Sequence, residues 1–276
     1  MNIACYVIEA TERLRSVGIE NPGLDAEVII ANCLNLERYQ LVTWRDRVLS
    51  SEEISLIEKK IKRRLKKEPV AYIIGKKEFY GLDFLVTKDV LIPRPETELL
   101  VDMAIYWSPL NARVVDLCTG SGAIAIALKY TRSDLDVFAS DISQKALKIA
   151  KKNCENLLGK NKISFLAGNL FEPLQSEKFD VIVSNPPYVD YSLKGTLQKE
   201  LDFEPEIALY AEDKGQAVIK QIIENSRKYL NKNGILLLEI GSDQRDFTET
   251  YGKKKGFDVS ILNDYSGLPR VATLRL

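Results

Sequence analysis

The stretch VVDLCTGSGAI, residues 114–124, is a short apolar run followed by a turn with two glycines and the start of a small-residue helix. This order of strand, glycine turn and helix is the unit from which parallel α/β sheets are built. Gly120 and Gly122 are only two residues apart, and no third glycine completes the G-x-G-x-x-G pattern of dinucleotide sites. Asp116, at the strand end, suits an ammonium group better than a phosphate. The stretch therefore predicts an α/β fold whose ligand is not a dinucleotide.

Strands and helices alternate from residue 113 onward, which predicts a parallel sheet covered on both faces. The predicted strands are 113–118, 135–141, 162–168, 179–185, 234–240, 257–263 and 270–276. The predicted helices are 122–131, 143–157 and about 214–230. The loop between the last two strands is too short for a parallel crossover, so the last strand should run antiparallel. The sequence thus predicts a Rossmann-like, seven-stranded α/β sheet with a reversed last strand.

A second carboxylate, Asp141, ends the next predicted strand after the glycine turn. A carboxylate at this place in such sheets accepts hydrogen bonds from ribose hydroxyls. A turn that suits an amino acid group, together with a carboxylate that suits a ribose, describes S-adenosylmethionine. We therefore expect this cofactor at the carboxyl ends of the strands.

The predicted strand 179–185 ends in Asn185-Pro186-Pro187-Tyr188. Two prolines cannot donate to a ladder or enter a helix interior, so they hold the backbone extended and stiff. The Asn185 side chain and the Pro186 carbonyl offer acceptors, and Tyr188 offers an aromatic wall, which together suit a planar group carrying an NH2. The alternative is a proline-rich loop without chemistry. The motif lies in the same predicted sheet as the glycine turn, which favours a binding site over a loop without chemistry.

The chain has 276 residues, is 45% hydrophobic and 28% charged, and balances 39 basic with 39 acidic residues. No global field therefore attracts it to nucleic acid or to an anionic membrane. The absence of histidine excludes His-dependent triads and an imidazole base, and the four scattered cysteines form no C-x-x-C motif, so we expect no metal site. The sequence contains neither a recognisable signal peptide nor a membrane-spanning run, which predicts a cytoplasmic location.

Three segments with different composition predict the domain organisation. Residues 1–75 show apolar residues at helical spacing and are expected to form a small helical domain. Residues 76–95 resemble a hairpin followed by an extended connector and are expected to link the domains. Residues 96–276 are expected to form the domain that carries the site.

One helix of the amino-terminal segment has an apolar stripe and a strongly basic remainder. Ser51 is its predicted N-cap. The stripe consists of Ile54, Ile57, Ile61 and Leu65. The basic run within 59–67 is either a solvated helix face or a docking surface for an acidic or RNA-associated partner.

Taken together, these segments make the chain resemble the PrmC/HemK family of release factor glutamine methyltransferases over nearly its whole length. The matching segments are EPVAYIIG (68–75), EFYG (78–81), LIPRPETE (91–98), DLCTGSG (116–122), NPPY (185–188) and LEIG (238–241) with Gln244. Enzymes of this family transfer a methyl group from S-adenosylmethionine to the side-chain nitrogen of the glutamine in the Gly-Gly-Gln motif of release factors. Their amino-terminal helical domain recognises the release factor.

The resemblance implies which residues form the site. Catalytic roles fall to Asn185, Pro186 and Tyr188, and these residues together with Pro187 would bind the glutamine amide. The implied cofactor-binding residues are Asp116, Cys118, Thr119, Gly120, Ser121, Gly122, Asp141, Asn169, Leu170 and Asn185.

The sequence departs from the family pattern in a few places. Cys118 replaces the first glycine of the turn, which a cysteine can do if the position keeps a negative φ. Asn169 stands where an acidic residue is common, and Leu170 where a larger ring covers the adenine. Residues 211–215 lack the usual glycine pair, which predicts a loop of different shape.

The resemblance implies class 1 peptide chain release factors as partners of a monomeric enzyme, with no direct contact to membrane or nucleic acid. The nearest alternative is a nucleic-acid methyltransferase acting on the exocyclic amine of adenine or cytosine, since that amine is also a planar NH2. Such an enzyme must capture a base and neutralise phosphates, which the balanced charge does not favour. The alternative of another class is a non-catalytic binding protein of the translation machinery that keeps the fold.

Overall fold

The computed structural model describes residues 1–160 and 162–276, and the chain divides into two compact units. The units consist of Met1–Lys76 with Gln198–Phe203, and of Lys77–Leu197 with Glu204–Leu276. The first unit therefore contains a short segment that the chain reaches only after the Asn-Pro-Pro-Tyr motif. The domain boundaries expected from the sequence remain a prediction.

Helices form most of the first unit. They are α1 (Ile3–Ser16), α2 (Pro22–Leu34), α3 (Gln40–Thr43), α4 (Ser51–Leu65) and α5 (Val70–Ile74). Their apolar faces share one core, in which Ile3, Leu14, Ile29, Ile57 and Ile61 are fully buried. The apolar stripe predicted for α4 thus faces this core, as helical periodicity requires.

The start of α4 differs from the prediction by one residue. Ser50, not Ser51, is the N-cap: its hydroxyl accepts from the Glu53 amide at 3.2 Å, and its own amide donates to the Glu53 carboxylate at 2.9 Å. This reciprocal pair is a capping box, which satisfies two amides that a helix start leaves without partners. Ser51 is wrong as a cap because it already lies in the first turn of the helix.

Most basic side chains of α4 and the residues just after it bond within the first unit instead of facing solvent alone. These pairs are Lys60 with Asn32, Lys62 with Glu58, Arg63 with Glu68, Arg64 with Asp25 and Glu200, and Lys67 with the Gly18 carbonyl. Arg64 is buried, with Asp25 at 2.7 Å and Glu200 at 3.1 Å. Much of the basic run therefore stabilises the unit, which leaves less charge for docking a partner.

A seven-stranded sheet forms the centre of the second unit. The strands of the chain are β1 (Lys76–Phe79), β2 (Leu82–Leu85), β3 (Arg113–Leu117), β4 (Asp136–Asp141), β5 (Ser164–Ala167), β6 (Phe179–Ser184), β7 (Val189–Asp190), β8 (Tyr210–Ala211), β9 (Leu230–Glu239), β10 (Asp258–Asn263) and β11 (Pro269–Arg275). The large sheet has the order β10-β11-β9-β6-β3-β4-β5, and β1–β2 and β7–β8 form two small sheets. Only β11 runs antiparallel to both of its neighbours. The predicted fold class, with its reversed last strand, is confirmed.

Helices cover both faces of this sheet. They are α6 (Glu98–Trp107), α7 (Ala123–Thr131), α8 (Gln144–Leu157), α9 (Glu206–Leu209), α10 (Ala217–Ser226) and α11 (Arg245–Lys254). The sequence did not predict α11, because polar residues dominate it and only Thr248 and Gly252 are buried. Gly252 packs so close to β10 and β11 that a Cβ there would lie 2.7 Å from Val259. None of the described helices is both long and apolar enough to cross a membrane.

The register of the central strands brings their carboxyl ends to one edge. Leu117 of β3 pairs with Ser140 of β4 and with Ser184 of β6. Ser184 in turn pairs with Leu238 of β9. The residues that follow these strands therefore meet at the same edge, where open α/β sheets place their ligands.

Candidate active site

The turn after β3 depends on backbone conformations that favour glycine. Gly120 has a φ of 56° and Gly122 a φ of 82°. A Cβ on Gly120 would meet nothing within 4 Å, whereas one on Gly122 would lie 3.0 Å from Ile126 and 3.1 Å from Ala150. Gly120 thus leaves space for a ligand, while Gly122 lets α7 and α8 pack closely.

Cys118 does not meet the condition of a negative φ, since its φ is 60°. Directly after Cys118, the Thr119 amide donates to the Ser140 carbonyl of β4 at 3.0 Å. A left-handed conformation costs a residue with a Cβ roughly 1–2 kcal/mol. Removal from water, with a smaller effect of the Asp141 charge, raises the pKa of the Cys118 thiol to about 12. The thiol is therefore protonated at neutral pH.

Two carboxylates lie beside this turn. Asp116 is fully buried; its Oδ2 accepts from the Thr119 hydroxyl at 2.6 Å, whereas Oδ1 has no hydrogen-bond partner among the described residues. Burial raises the pKa of Asp116 to about 7, and the charge of Asp141 adds to the rise. Asp141 accepts from the amides of Gly120 and Ser143, both at 2.8 Å. Burial nevertheless raises the pKa of Asp141.

A cavity with about 780 Å³ of empty space, partly open to solvent, lies at this edge. The predicted site residues in its wall are Cys118, Gly120, Asp141, Asn169, Leu170, Asn185 and Pro187. A smaller neighbouring cavity brings Thr119 and Ser121 together with Asn185 and Arg94. The predicted residues that line neither cavity are Asp116, Gly122, Pro186 and Tyr188.

Part of the cavity wall was not predicted from the sequence. The residues found only in the structure are Asp89, Val90, Leu91, Ile142, Ser143, Ala146, Pro205, Ile207, Ala208 and Val218. Ile142 and Ile207 are more than half exposed, at 53% and 57%, although both are large and apolar. Both side chains line the cavity, so they offer apolar surface to a bound group. For Ile142, the signal in the sequence is an apolar residue directly after the ribose carboxylate.

Asn185 and Tyr188 are fixed by side chains from distant parts of the chain. The Asn185 Nδ2 donates to the Thr97 hydroxyl at 3.1 Å. The Tyr188 hydroxyl donates to Glu239 Oε1 at 3.1 Å, and the Tyr188 carbonyl accepts from Gln244 at 3.1 Å. Burial and the Glu239 charge raise the pKa of the Tyr188 phenol, so it stays protonated as a donor.

The connector before α6 is also tied to a distant residue. Glu204 is buried; it accepts from the Ile92 amide at 3.0 Å and forms an ion pair with Arg94. Arg94 both pairs with Glu204 and lines the smaller cavity. Nothing in the local pattern around Glu204 indicates this role, because its partners lie 110 and 112 residues earlier.

The loop 211–215 takes unusual conformations without the usual glycine pair. Asp213, Lys214 and Gly215 have φ values of 57°, 56° and 77°. A Cβ on Gly215 would lie 2.0 Å from the Tyr188 carbonyl oxygen, so only glycine fits there. An ion pair between Asp213 and Lys220 supports the strained turn. The loop thus packs directly against the Asn-Pro-Pro-Tyr motif.

The residues at the larger cavity fit S-adenosylmethionine. Asp141 keeps spare acceptor capacity for ribose hydroxyls, because each carboxylate oxygen has more than one acceptor site. Asp116 lines neither cavity; it lies buried beside the turn, where it holds the Thr119 hydroxyl. Gly120 leaves the space into which a Cβ would project. Ile142 offers an apolar surface to a ring.

Comparisons with known proteins show which family this chain is similar to. Residues 6–75 match the model of the PrmC N-terminal domain, and residues 96–200 match the methyltransferase small domain. The release factor glutamine methyltransferase of Aliivibrio fischeri is 35% identical over 274 residues, which cover 98% of this chain and 96% of that protein. A bifunctional methyltransferase of Rickettsia felis is 36% identical over 95% of this chain, which spans only 56% of that protein.

Solved structures show the same fold. A methyltransferase from Pyrococcus furiosus superimposes with a TM-score of 0.55, covering 79% of this chain and 98% of that chain at 18% identity. At this identity the likeness concerns the fold alone. The relative from Aliivibrio fischeri carries the assignment, because it matches at 35% identity over almost the full length of both chains. The chain belongs to the release factor glutamine methyltransferase family.

Proposed function

We propose that this protein transfers a methyl group from S-adenosylmethionine to the side-chain amide nitrogen of the glutamine in the Gly-Gly-Gln motif of class 1 peptide chain release factors. The observation that carries the proposal is the orientation of Asn185. Its Nδ2 is bonded to Thr97 while the residue lines both cavities, so Oδ1 is the atom left to accept from a substrate.

The cofactor is assigned to the larger cavity. Asp141 accepts from the ribose, Asp116 and the turn 118–122 surround the amino acid group, and Asn169, Leu170 and Ile142 flank the ring. Bound there, S-adenosylmethionine supplies an electrophilic methyl group on a sulfonium. Asn169 and Leu170 follow β5 in the cavity wall, where an amide and an aliphatic side chain replace an acid and a ring.

The chain's own groups overcome the weak nucleophilicity of an amide. Its nitrogen lone pair is delocalised into the carbonyl. Asn185 Oδ1 and the Pro186 carbonyl accept the two amide hydrogens, which holds the nitrogen in a fixed direction and favours its pyramidal form. Such positioning can supply about 7–11 kcal/mol of the barrier. No strong base is needed, because the nitrogen becomes acidic only as the methyl arrives, and the absence of histidine is no obstacle.

The test is methyl transfer from labelled S-adenosylmethionine to a purified release factor, beside its Gln→Ala variant and a DNA duplex. Label on the intact factor alone is the expected result. Label on the duplex would instead indicate a base methyltransferase. Failure to bind S-adenosylmethionine would indicate a non-catalytic binding protein.

No observation favours the nucleic-acid alternative. Its one supporting feature was the basic run 59–67, and most of those side chains have partners within the first unit. We also propose a cytoplasmic monomer that contacts the release factor without direct nucleic acid binding. Light scattering of the enzyme, alone and with the factor, tests this stoichiometry.

A further inference from the structure

Gln244 stands at the start of α11, but its side chain does not cap that helix. It is the N-cap residue and makes no side-chain bond to the first turn. Glutamine is also not among the residues that helix starts favour. The residue is only 3% exposed, and burying an amide group is costly unless the group is hydrogen-bonded. Its hydrogen bonds therefore indicate what the side chain does.

Both halves of the Gln244 carboxamide bond to main-chain groups. Oε1 accepts from the Gly241 amide at 3.0 Å, and Nε2 donates to the Tyr188 carbonyl at 3.1 Å. A main-chain amide can only donate and a main-chain carbonyl can only accept, so the carboxamide fits in one orientation. Gln244 thus ties the loop after β9 to the last residue of the Asn-Pro-Pro-Tyr motif.

A third segment packs over the hydrogen bond between Gln244 and Tyr188. A Cβ on Gly215 would lie 2.0 Å from the Tyr188 carbonyl oxygen and 3.0 Å from Gln244 Nε2. The main chain of the loop 211–215 therefore lies directly against both bonded atoms. Because this packing leaves little room for a water molecule to act as the donor instead, loss of the glutamine would leave the carbonyl without a partner, which is costly.

The Asn-Pro-Pro-Tyr motif is held at both of its ends. Asn185 bonds to the Thr97 hydroxyl at 3.1 Å, and the Tyr188 carbonyl bonds to Gln244 at the same distance. The two prolines between these ends have a φ that their rings fix, so few torsions are free to change. The direction of the Pro186 carbonyl, the proposed acceptor for the second amide hydrogen, therefore depends on where Tyr188 is held.

We propose that Gln244 is a positioning residue for methyl transfer, which fixes the main chain at the end of the motif so that the Pro186 carbonyl meets the substrate amide. This inference rests on the proposed function, since the direction of that carbonyl matters only if a substrate N–H points to it. Gln244 lines neither of the two cavities described above, so it acts through Tyr188 and not by contact with the cofactor.

Gln244→Met and Gln244→Glu form the test. Methionine fills nearly the same space but cannot donate, so kcat for release factor methylation should fall about 100-fold, the loss that a misplacement of about 1 Å causes. A protonated glutamic acid restores both bonds, because its O–H donates to the Tyr188 carbonyl and its other oxygen accepts from Gly241. Gln244→Glu should therefore keep more activity than Gln244→Met at low pH, and lose it as the pH rises and the new carboxyl ionises.

Two kinetic results would overturn the inference. One is a kcat for Gln244→Met within about threefold of the wild type. The other is an equal loss in both variants at every pH, because a role in filling space does not depend on a donor. Calorimetric titration with S-adenosylmethionine gives the amount of folded enzyme on which each kcat is based. Gln221→Met and Gln221→Glu, at an exposed position of α10, are the matched controls and should leave kcat unchanged.

The Tyr188 carbonyl reports its hydrogen bond without any activity. Carbon-13 at tyrosine carbonyls and nitrogen-15 at valine amides together give two NMR signals, because the chain has two Tyr–Val junctions, Tyr6–Val7 and Tyr188–Val189. Val7→Ile removes the first signal and so assigns both. In Gln244→Met the Tyr188 signal should shift while the Tyr6 signal stays. An unshifted Tyr188 signal would overturn the inference, whereas a wild-type enzyme that leaves release factors unlabelled would refute only the proposed function.

Discussion

The loops after β3 and β6 lie at the same edge of the sheet but are fixed by different means. The β3 loop depends on left-handed backbone conformations at Cys118, Gly120 and Gly122, in addition to bonds from the carboxylates of Asp116 and Asp141. None of residues 185–188 has a positive φ; side-chain bonds to Thr97, Glu239 and Gln244 hold that loop instead. Backbone conformation suits a cofactor that must approach the main chain closely, whereas side chains suit a substrate amide that must be oriented.

The largest effect should come from the loop held by side chains. Asn185→Ala removes the proposed acceptor and should raise the barrier to methyl transfer by about 2.7–4 kcal/mol. Steady-state kinetics with a release factor measure this. Asn225→Ala on α10 is the control. Unchanged turnover in Asn185→Ala would refute its role.

Substitutions of the two glycines in the β3 loop should differ in how much they destabilise the protein. Gly122→Ala combines an unfavourable φ with contacts to Ile126 and Ala150, and should lose about 2–4 kcal/mol. Gly120→Ala has the unfavourable φ without the contacts and should lose about 1–2 kcal/mol. Denaturant unfolding measures both, and equal losses would show that close packing at Gly122 contributes nothing.

Asp141→Asn tests whether the cofactor depends on the charge at the end of β4. The asparagine loses the charge and turns an NH2 toward one of the amides of Gly120 and Ser143. Cofactor affinity should fall by about 1.5–3 kcal/mol. Calorimetric titration measures it, with Asp136→Asn at the opposite, exposed end of β4 as the control. An affinity equal to the wild type would remove Asp141 from the site.

Asp116 should make stability depend on pH. Its folded pKa of about 7 lies above the ordinary value of about 3.9. Between these pH values the Asp116 carboxyl is protonated in the folded state and ionised in the unfolded state. The stabilisation that this difference gives the folded state is therefore complete below pH 4 and lost by pH 7. Stability should fall with a slope of at most about 1.4 kcal/mol per pH unit in this range. Asp116→Asn should flatten the unfolding free energy across it, and an identical slope in the variant would contradict the assignment.

The smallest effect concerns the strain at Cys118. Cys118→Gly relieves the left-handed conformation but adds freedom to the unfolded chain, for a net gain of about 0.5–1 kcal/mol. Cys118→Ala keeps the strain and should change stability little. Thermal unfolding of both variants separates the backbone effect from the thiol, and a less stable Cys118→Gly would show that the thiol itself matters.

The difference between the loops after β3 and β6 also explains which parts of the site could be predicted from the sequence. Gly120, Gly122 and Asp141 lie at fixed short distances from their strands, so local pattern was enough to predict a cofactor turn. Thr97 lies 88 residues from Asn185 and Glu239 lies 51 residues from Tyr188, and no local pattern encodes such partners.

The fold, too, could be predicted from the sequence only in part. Apolar strands and their alternation with helices predicted the sheet and the reversed last strand. α11 was not predicted because polar residues dominate it. It meets the sheet through Gly252 and through the half-buried rings of Phe247 and Tyr251. The left-handed conformation of Cys118 could not be predicted either, since cysteine does not favour that conformation.

The pairing of Arg64 with Glu200 limits where the chain can be cut to separate its two units. Residues 198–203 belong to the first unit, so three peptide bonds, not one, separate the units along the chain. A fragment ending at residue 76 would leave the buried Arg64 with one of its two carboxylates, and such losses destabilise a buried charge. Exchanging the helical unit between relatives would therefore require transplanting two sequence pieces at once, the helices and the six-residue segment.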